Sequence, residues 1–431
     1  MPKEIDLQGL DLAGIIRDGD HIVWGSGTGE PVQLIKKFLE QRHRIGRTSV
    51  FLGGISYTGT LEPEHADVVT FSGFGAMARL RGFCRAGALR VIPCHLSALC
   101  GYLESGIIGS DVVFVKLSTP DESGGYSFSL ENDYLQAAMA RARVVIAEIN
   151  DQLPWTYFDG NLDASRIDYA VHTSDPPIEV EQATFGPTER QIAEHINKYI
   201  EDGSTIEIGI GAIPDAVLAD VGDRRDLGIH SGLIGDRVAE LMESGVITNT
   251  RKPIDTGLTV CGSLRGTQRL YKFAHCNRAI RLFTFMHTHR AEILSQLDNF
   301  VAINSAIEVD LTGQINAEIA AGVQVGGVGG QGDFLRGAIL AARGHAIVAM
   351  PSTALSGKAS RIIPRLSGVV TTARSDADVI VTEFGAAELR GQPLDERARR
   401  MIAIAHPDFR ESLEREAREI QKRGISTLLA K

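Results

Sequence analysis

One short pattern occurs twice in the chain, and it constrains the fold more than any other feature. Residues 18–27 read Asp-Gly-Asp-His-Ile-Val-Trp-Gly-Ser-Gly, and residues 202–211 read Asp-Gly-Ser-Thr-Ile-Glu-Ile-Gly-Ile-Gly. The offset is a constant 184 residues, and an Asp, an Ile and three glycines coincide. Two unrelated strand-turn-helix units would give such a match only by chance. Duplication of an α/β domain explains the offset better.

The rest of the chain alternates in the same way. Short apolar runs begin at Ile22, Val144, Ile206 and Ala346, and each ends at a Gly, Asn or Pro. Helical patterns lie between them, at residues 30–41, 134–143 and 189–199. Strands that alternate with helices predict parallel sheets covered by helices on both faces. The predicted fold class is therefore α/β.

A loop with the sequence Thr173-Ser-Asp-Pro-Pro marks the boundary between the two halves. We therefore predict two related α/β domains, residues 1–184 and residues 185–431, with the active-site motifs in the second. Open α/β sheets bind ligands beyond the carboxyl ends of their strands. Two such domains that face each other would share one cleft, and the predicted active site lies there.

Composition excludes several classes of function. The net charge is −10, and a chain this acidic is a poor candidate for nucleic-acid binding. It contains no run of about 18 apolar residues, and its polar start does not resemble a signal peptide. Five cysteines without a C-x-x-C pair indicate reduced thiols rather than a disulfide framework. We expect a cytoplasmic protein with no membrane partner that forms a homodimer or a higher homo-oligomer.

Two glycine-rich loops are candidates for ligand binding. The first, Gly25-Ser-Gly-Thr-Gly, lacks the G-x-G-x-x-G spacing and is weak evidence for a nucleotide site. The second has five glycines in the seven residues from Gly326 to Gly332. Three interpretations of it remain open: a dinucleotide site, an oxyanion hole built from backbone amides, and a bulge between packed elements.

The second half also carries a series of specific motifs. They are Asn304-Ser-Ala-Ile-Glu-Val-Asp, Gly329-Gly-Gln-Gly-Asp-Phe, Pro351-Ser-Thr-Ala, Ser360-Arg-Ile-Ile-Pro, Val381-Thr-Glu-Phe-Gly and Ile404-Ala-His-Pro-Asp-Phe-Arg, in that order. This sequence resembles the acetyl-CoA hydrolase/transferase family, which includes 4-hydroxybutyrate CoA-transferases. The resemblance spans almost the whole chain. It implies the CoA-transferase fold, acyl-CoA substrates and no tightly bound cofactor, since coenzyme A enters as part of the substrate.

The resemblance also implies a covalent mechanism, and this chain departs from it. In the family a Glu in a segment like Gly-x-His-Thr-Glu-Met attacks the acyl-CoA and then carries CoA as a thioester. The matching segment here is Leu227-Gly-Ile-His-Ser-Gly-Leu-Ile-Gly-Asp. Aligned on Gly228, His230 and Asp236, the nucleophile's place is taken by Gly232. Glycine has no side chain that could form an acyl anhydride.

Other family positions match. By resemblance, Asn304 would orient the thioester, and the amide of Gly330, with Gly329 and Gln331 beside it, would form the oxyanion hole. Glu383 would lie near the place vacated at Gly232, and it is the first choice for a general base. His230 is the second choice and Asp236 the third. Glu30 is expected on the substrate side of the site. The pair His287 and His289 matches no zinc spacing, so no metal site is expected.

Three functions are therefore compatible with the sequence. The leading hypothesis is an acyl-CoA enzyme without a covalent Glu, which either hydrolyses the thioester or cleaves a C–C bond at a carbonyl β to it. The second is a CoA-transferase with a relocated nucleophile. The third is a catalytically inactive CoA-binding protein, and the presence of Asn304, Gly330 and Glu383 counts against it.

Overall fold

Two large sheets, one in each half of the chain, organise the fold. The computed structural model describes residues 2–422, so Met1 and residues 423–431 of the predicted domains lie outside the described residues. The first sheet has eight strands, and all neighbouring strands in it are parallel. In spatial order they are Lys3–Glu4, Tyr169–Thr173, Val144–Asn150, Val112–Ser118, His21–Trp24, Thr48–Phe51, Val69–Gly73 and Leu89–Val91.

The second sheet has six strands, parallel except for a hairpin at one edge. In spatial order they are Gly228–Ile229, Thr205–Ile208, Phe300–Ser305, His345–Ala349, Val379–Thr382 and Gly385–Glu388. A three-stranded parallel sheet, Tyr157–Phe158, Ile280–Leu282 and Thr259–Cys261, continues beyond the first edge through a bridge between His230 and Val260. The short two- and three-stranded sheets pair Leu233–Ile234 with Ser263–Leu264, Ile55–Ser56 with Met77–Ala78, Ile319–Ala320 with Val323–Gln324, Thr353–Ala354 with Ala359–Ser360, and Glu308–Asp310 with both Ile315–Asn316 and Ile362–Ile363.

The two copies of the sequence repeat occupy the same topological place. In each half the repeat strand is followed by one α-helix and then by the strand that pairs with it on one side. These elements are Val32–Ile45 and Thr48–Phe51 in the first half, and Ala212–Ala219 and Gly228–Ile229 in the second. The predicted tandem of related α/β domains is therefore confirmed. The boundary at residue 184 stays a prediction, because Tyr157–Phe158 of the first half joins strands of the second.

Alternating strand residues enter separate hydrophobic cores on the two faces of each sheet. Trp24 and Phe114 face one side of the first sheet, against Phe38, while Val23 and Val113 face the other. The described α-helices are Val32–Ile45, Leu80–Arg85, Leu96–Ser105, Leu135–Arg141, Pro187–Ile196, Ala212–Ala219, Asp236–Glu243, Gln268–Ala274, Phe285–Thr288, Ala291–Leu294, Gln331–Leu340, Leu394–Ala403 and Pro407–Lys422. Among residues 2–422, none of these helices has the length and apolar character needed to cross a membrane.

A buried loop of the first half joins the two halves. The amide of Asn132 donates to the carbonyl of Gly262 at 3.0 Å, and the amide of Leu264 donates to the carbonyl of Leu130 at 2.8 Å. Asp133, at the end of this loop, has a left-handed backbone with φ of 32°. Few non-glycine residues adopt such a backbone, and those that do often lie at functional sites. The loop fixes the side chain of Asp133 between the two halves.

The aromatic core of the first sheet gives a direct test of the packing. Phe114 is fully buried, and its ring stacks on Trp24 with centroids 6.1 Å apart. Phe114→Ala should lower the free energy of unfolding by ~3–5 kcal/mol, because it removes a large buried ring and leaves a cavity. Ile107→Ala is the control, since Ile107 is 72% exposed, and it should change stability by less than ~0.5 kcal/mol. Urea unfolding followed by circular dichroism measures both, and equal effects of the two substitutions would contradict this packing.

Candidate active site

A cavity of about 270 Å³ lies where the two halves meet. The first half supplies apolar side chains and one acid to its wall, and the second half supplies most of the polar groups. From the first half come Ile55, Phe74, Met77, Leu96 and Asp133, and from the second Glu207, Gly209, Gly232, Ser263, Arg265, His289, Asn304, Gly329, Gly330, Gln331 and Phe334, among others. An apolar pocket with a few convergent polar groups is the usual form of a small-molecule site.

Two polar side chains enter the cavity from neighbouring strands. Glu207 and Asn304 lie at the carboxyl ends of Thr205–Ile208 and Phe300–Ser305, which pair in parallel with Ile208 opposite Ile303. The Asn304 Nδ2 donates to Glu207 Oε2 at 2.7 Å. Because the carboxyl ends of parallel strands meet at one edge of the sheet, this register brings together two residues 97 positions apart. The predicted site residue Asn304 thus has a buried carboxyl as its partner.

Glu207 was not predicted as a functional residue. Burial raises the pKa of Glu207 to about 8, although the hydrogen bond from Asn304 favours the ionised form. A carboxyl that titrates near neutral pH in a cavity is suited to proton transfer. The sequence did contain a signal, a charged residue inside the apolar run from Ile206 to Ile208. The sequence alone does not give the strand register, and without it Glu207 could equally face solvent.

Gly232 lines the cavity, and an imidazole takes up the space beside it. A Cβ atom at position 232 would lie 3.1 Å from Cε1 of His289, which is tighter than ordinary contact. His289 is buried, and burial lowers its pKa to about 3, so the ring is neutral. Its Nδ1 lies 2.7 Å from the Thr288 hydroxyl, which also donates to the carbonyl of Thr284 at 3.2 Å. A side chain at 232 would therefore require His289 to shift by a few tenths of an ångström.

The glycine-rich loop forms another part of the wall. Gly329, Gly330 and Gln331 all line the cavity, and the helix Gln331–Leu340 begins directly after Gly330. The first amides of a helix have no intrahelical acceptor, so those at this end are free to bind a developing oxyanion. A Cβ atom at position 330 would lie 2.4 Å from Nε2 of His289, so this position requires glycine. Gln331 is held by the Ser305 carbonyl, to which its Nε2 donates at 2.7 Å.

The structure places Glu383 elsewhere along the same sheet. Its carboxylate accepts hydrogen bonds from the Ser352 amide at 2.8 Å and the Ser352 hydroxyl at 2.6 Å. It follows the strand Val379–Thr382, which is separated from Phe300–Ser305 by His345–Ala349. Glu383 is not among the described residues that line the cavity.

Three further predicted residues also lie outside the cavity wall. His230 is buried with its Nε2 3.3 Å from the His287 carbonyl, and burial lowers its pKa well below the usual range. Asp236 accepts hydrogen bonds from the amide and the hydroxyl of Thr267, both at 2.9 Å, and so fixes the start of a helix. Glu30 accepts a hydrogen bond from the Thr58 hydroxyl at 2.9 Å, and burial raises its pKa to about 7.

Comparison with known proteins agrees with this architecture. The fold superposes on RipA from Yersinia pestis with a TM-score of 0.92 and 32% identity, covering 97% of this chain and 98% of that one. A 4-hydroxybutyrate CoA-transferase from Porphyromonas gingivalis gives a TM-score of 0.81 and 31% identity, covering 98% of both chains. The fold is thus that of CoA-transferase-like proteins.

The sequence comparisons define the family. The N-terminal domain model of the acetyl-CoA hydrolase/transferase family matches residues 8–180, and the C-terminal domain model matches residues 266–417. The 4-hydroxybutyrate coenzyme A transferase of Clostridium kluyveri is 39% identical over 409 residues, which is 92% of this chain and 94% of that protein. The chain therefore belongs to the acetyl-CoA hydrolase/transferase family, and acyl-CoA processing is its general function.

The raised pKa of Glu207 predicts how stability depends on pH. The pKa of this carboxyl is about 8 in the folded protein and returns to its ordinary value of 4.5 on unfolding. Between these values the folded state binds one more proton, so stability falls as pH rises, by at most ~1.4 kcal/mol per pH unit. Gln cannot titrate. Glu207→Gln should therefore gain stability relative to the wild type as pH rises from about 5 to 8.

Urea unfolding at several pH values measures this difference. Glu396→Gln is the control, because hydrogen bonds from Arg399 and Arg400 lower the pKa of Glu396 to about 2. A carboxyl with a lowered pKa loses its contribution only as pH falls below its unfolded pKa. Its variant should thus differ from the wild type by a constant amount between about pH 5 and 8. A constant difference for Glu207→Gln as well would contradict the assigned burial of that carboxyl.

Proposed function

We propose that this protein hydrolyses an acyl-CoA thioester without forming a covalent enzyme intermediate. One observation supports the proposal: residue 232 is a glycine where the family has its nucleophilic Glu, and a different acid lies in the same cavity. Gly232 has no side chain with which to attack the thioester. Glu207 has a buried carboxyl in the same cavity, and this carboxyl accepts a hydrogen bond from Asn304. Cleavage of a C–C bond at a carbonyl β to the thioester uses the same base and oxyanion hole, and it is the variant of this proposal for a substrate that carries such a carbonyl.

The proposed reaction needs a base, an oxyanion hole and an orienting group. The Glu207 carboxylate removes a proton from water, and the resulting hydroxide attacks the thioester carbon. The negative charge that develops on the carbonyl oxygen is stabilised by the amide of Gly330 at the start of its helix. When the tetrahedral intermediate collapses, the C–S bond breaks and the protonated Glu207 returns its proton to the CoA thiolate. Asn304 holds the carboxyl in place throughout.

A CoA-transferase with a relocated nucleophile is the second candidate, and the position of Glu207 favours it specifically. The same carboxylate could attack the thioester carbon itself, as the family's usual Glu does. Both roles use the ionised carboxylate, so the raised pKa of Glu207 does not distinguish them, and covalent trapping is needed to separate them. An inactive CoA-binding protein is the third candidate. That candidate does not explain why the unpaired amides at the start of a helix and a buried carboxyl line the same cavity.

Replacing Glu207 should remove the chemistry and leave substrate binding. We expect Glu207→Gln to lower kcat by ~10²-fold or more, because proton transfer is lost while size and hydrogen bonding are retained. The pH profile should change too. Wild-type kcat/KM should rise with pH and level off above about 8, since Glu207 is half-ionised at its pKa, and this rise should be absent in the variant. CoA release from a panel of acyl-CoAs, with and without acetate, measures both effects.

Glu383→Gln is the matched control, since it makes the same chemical change at the same edge of the sheet but outside the cavity wall. It should keep turnover within about tenfold of the wild type. Normal turnover in Glu207→Gln together with a large loss in Glu383→Gln would return the base to Glu383, as the family resemblance implies. If only His230→Ala lost turnover, His230 would be the general base.

Trapping separates hydrolysis from covalent transfer. Incubation with acyl-CoA followed by borohydride or hydroxylamine should leave the intact mass unchanged, because neither Gly232 nor Glu207 carries CoA. An adduct on the peptide that contains Glu207 would support the relocated transferase and contradict the proposed reaction. CoA release that occurs only with acetate present would do the same.

A further inference from the structure

One ring nitrogen of His289 has no hydrogen-bond partner in the described part of the chain. His289 is 1% exposed and lines the cavity between the two halves. Its Nδ1 contacts the Thr288 hydroxyl, whereas its Nε2 makes no hydrogen bond to residues 2–422. Among those residues, the unpartnered polar atoms that water cannot reach include Nδ1 of His230 but not Nε2 of His289. The Nε2 is therefore not sealed, and because His289 lines the cavity, its opening leads there.

Two glycines on the cavity wall fix the position of this nitrogen. A Cβ atom at Gly330 would lie 2.4 Å from Nε2 of His289, and a Cβ atom at Gly232 would lie 3.3 Å from it. The Nε2 thus lies between the two positions and closest to Gly330. In the proposed reaction Gly330 supplies the oxyanion amide, and Gly232 stands where the family has its nucleophile. A thioester carbonyl that reacts at this point lies within reach of Nε2.

The hydrogen bonds on the other side of the ring assign its proton. The Thr288 hydroxyl lies 2.7 Å from Nδ1 and 3.2 Å from the Thr284 carbonyl. That carbonyl already accepts hydrogen bonds from the amides of His287 and Thr288, at 3.0 and 3.1 Å. The hydroxyl hydrogen is therefore directed mainly to Nδ1, which is the shorter contact. Since a neutral imidazole carries one ring proton, an acceptor at Nδ1 puts the N–H at Nε2.

The surroundings keep this ring neutral and weakly basic. It packs against the rings of Phe285 and Phe334, whose centroids lie 4.8 and 4.4 Å from its own. Burial lowers the pKa of His289 to about 3, so the imidazole is uncharged near neutral pH and is a poor base there. A neutral imidazole N–H can still donate a hydrogen bond to a carbonyl oxygen that gains negative charge. Apolar rings that exclude water strengthen such a hydrogen bond.

We propose that His289 is a catalytic residue whose Nε2–H donates a hydrogen bond to the thioester carbonyl oxygen, as a second oxyanion donor beside the Gly330 amide. This inference rests on the proposed acyl-CoA thioester chemistry and adds a residue that the proposed reaction does not use. It holds for either nucleophile, because the carbonyl oxygen gains negative charge whether water or the Glu207 carboxylate attacks. No bond to His289 forms or breaks.

Two substitutions separate the hydrogen-bond donor from the bulk of the ring. His289→Leu removes the donor and keeps an apolar side chain, whereas His289→Gln retains an N–H donor. We expect His289→Leu to lower kcat by ~10²–10³-fold with KM within about threefold of the wild type, because an oxyanion donor acts mainly in the transition state. His289→Gln should recover turnover to within about tenfold of the wild type. CoA release from the acyl-CoA that the wild type consumes fastest, with and without acetate, measures these effects.

His172→Leu is the matched control for the loss of an imidazole. His172 is exposed and paired with Glu4 at 2.8 Å, so this variant should keep the wild-type kcat. Normal turnover in His289→Leu would overturn the proposal. Equal losses in His289→Leu and His289→Gln would also overturn it, because the effect would then come from the shape of the ring. A loss that appears only in KM would have the same consequence.

Two further measurements do not depend on turnover. A ketone analogue of an acyl-CoA, with CH₂ in place of the thioester sulfur and carbon-13 at the carbonyl, reports hydrogen bonding through its infrared carbonyl stretch. The stretch should have a lower frequency on the wild type than on His289→Leu, and equal frequencies would contradict the proposal. Nitrogen-15 NMR of histidine-labelled wild type, assigned with His289→Gln, should show a protonated Nε2. An unprotonated Nε2 would overturn the donor role even if His289→Leu fails to fold.

The outcome is separable from that of the proposed reaction. If CoA is released only with acetate, or if Glu207 is trapped as an adduct, hydrolysis fails. A loss in His289→Leu that His289→Gln recovers would then still support the second oxyanion donor. If hydrolysis occurs without an adduct and His289→Leu has normal turnover, the inference fails and the proposed reaction stands.

Discussion

The site depends on the backbone pairing between the loop that ends at Asp133 and the segment around Ser263. Two hydrogen bonds, from Asn132 to Gly262 and from Leu264 to Leu130, connect the halves in the manner of a short sheet. These bonds are buried, so water does not compete for them, and breaking one would leave an unpaired donor or acceptor. They hold the Asp133 side chain and the Gly232 carbonyl on the same side of one cavity. Without this pairing the carboxyl ends of the two sheets would face solvent separately.

The chemistry of the site follows from where a carboxyl is present and where it is absent. Position 232 is a glycine that lies against His289, so the acid that the family uses for covalent catalysis is absent there. Glu207 lies one strand away, with Asn304 as its donor, and its burial favours the protonated form. An acid that titrates near neutral pH suits reversible proton transfer. The substitution at 232 and the carboxyl at 207 thus point to the same change of mechanism.

The fold could be predicted from the sequence because its signals are local. The repeat at an offset of 184 residues and the Gly, Asn or Pro that ends each apolar run are visible without any long-range information. The glycine-rich loop and Asn304 were found through family motifs, and both line the cavity. Glu207 could not be found this way, because its role comes from the register that sets Ile208 opposite Ile303. For Glu383 the sequence was misleading. Its family motif is present, but the strand order of the sheet puts another strand between Glu383 and Asn304.

The central claim is that water, and not an enzyme carboxylate, attacks the thioester. Many turnovers in water enriched in oxygen-18, followed by mass analysis of the peptide that contains Glu207, test it most directly. If Glu207 acts only as a base, the label enters the released carboxylic acid and the peptide keeps its natural mass. If Glu207 forms an anhydride that water opens, the label accumulates in its carboxyl group. An unlabelled Glu207 peptide beside a labelled product is the predicted result, and a labelled Glu207 peptide would contradict the account.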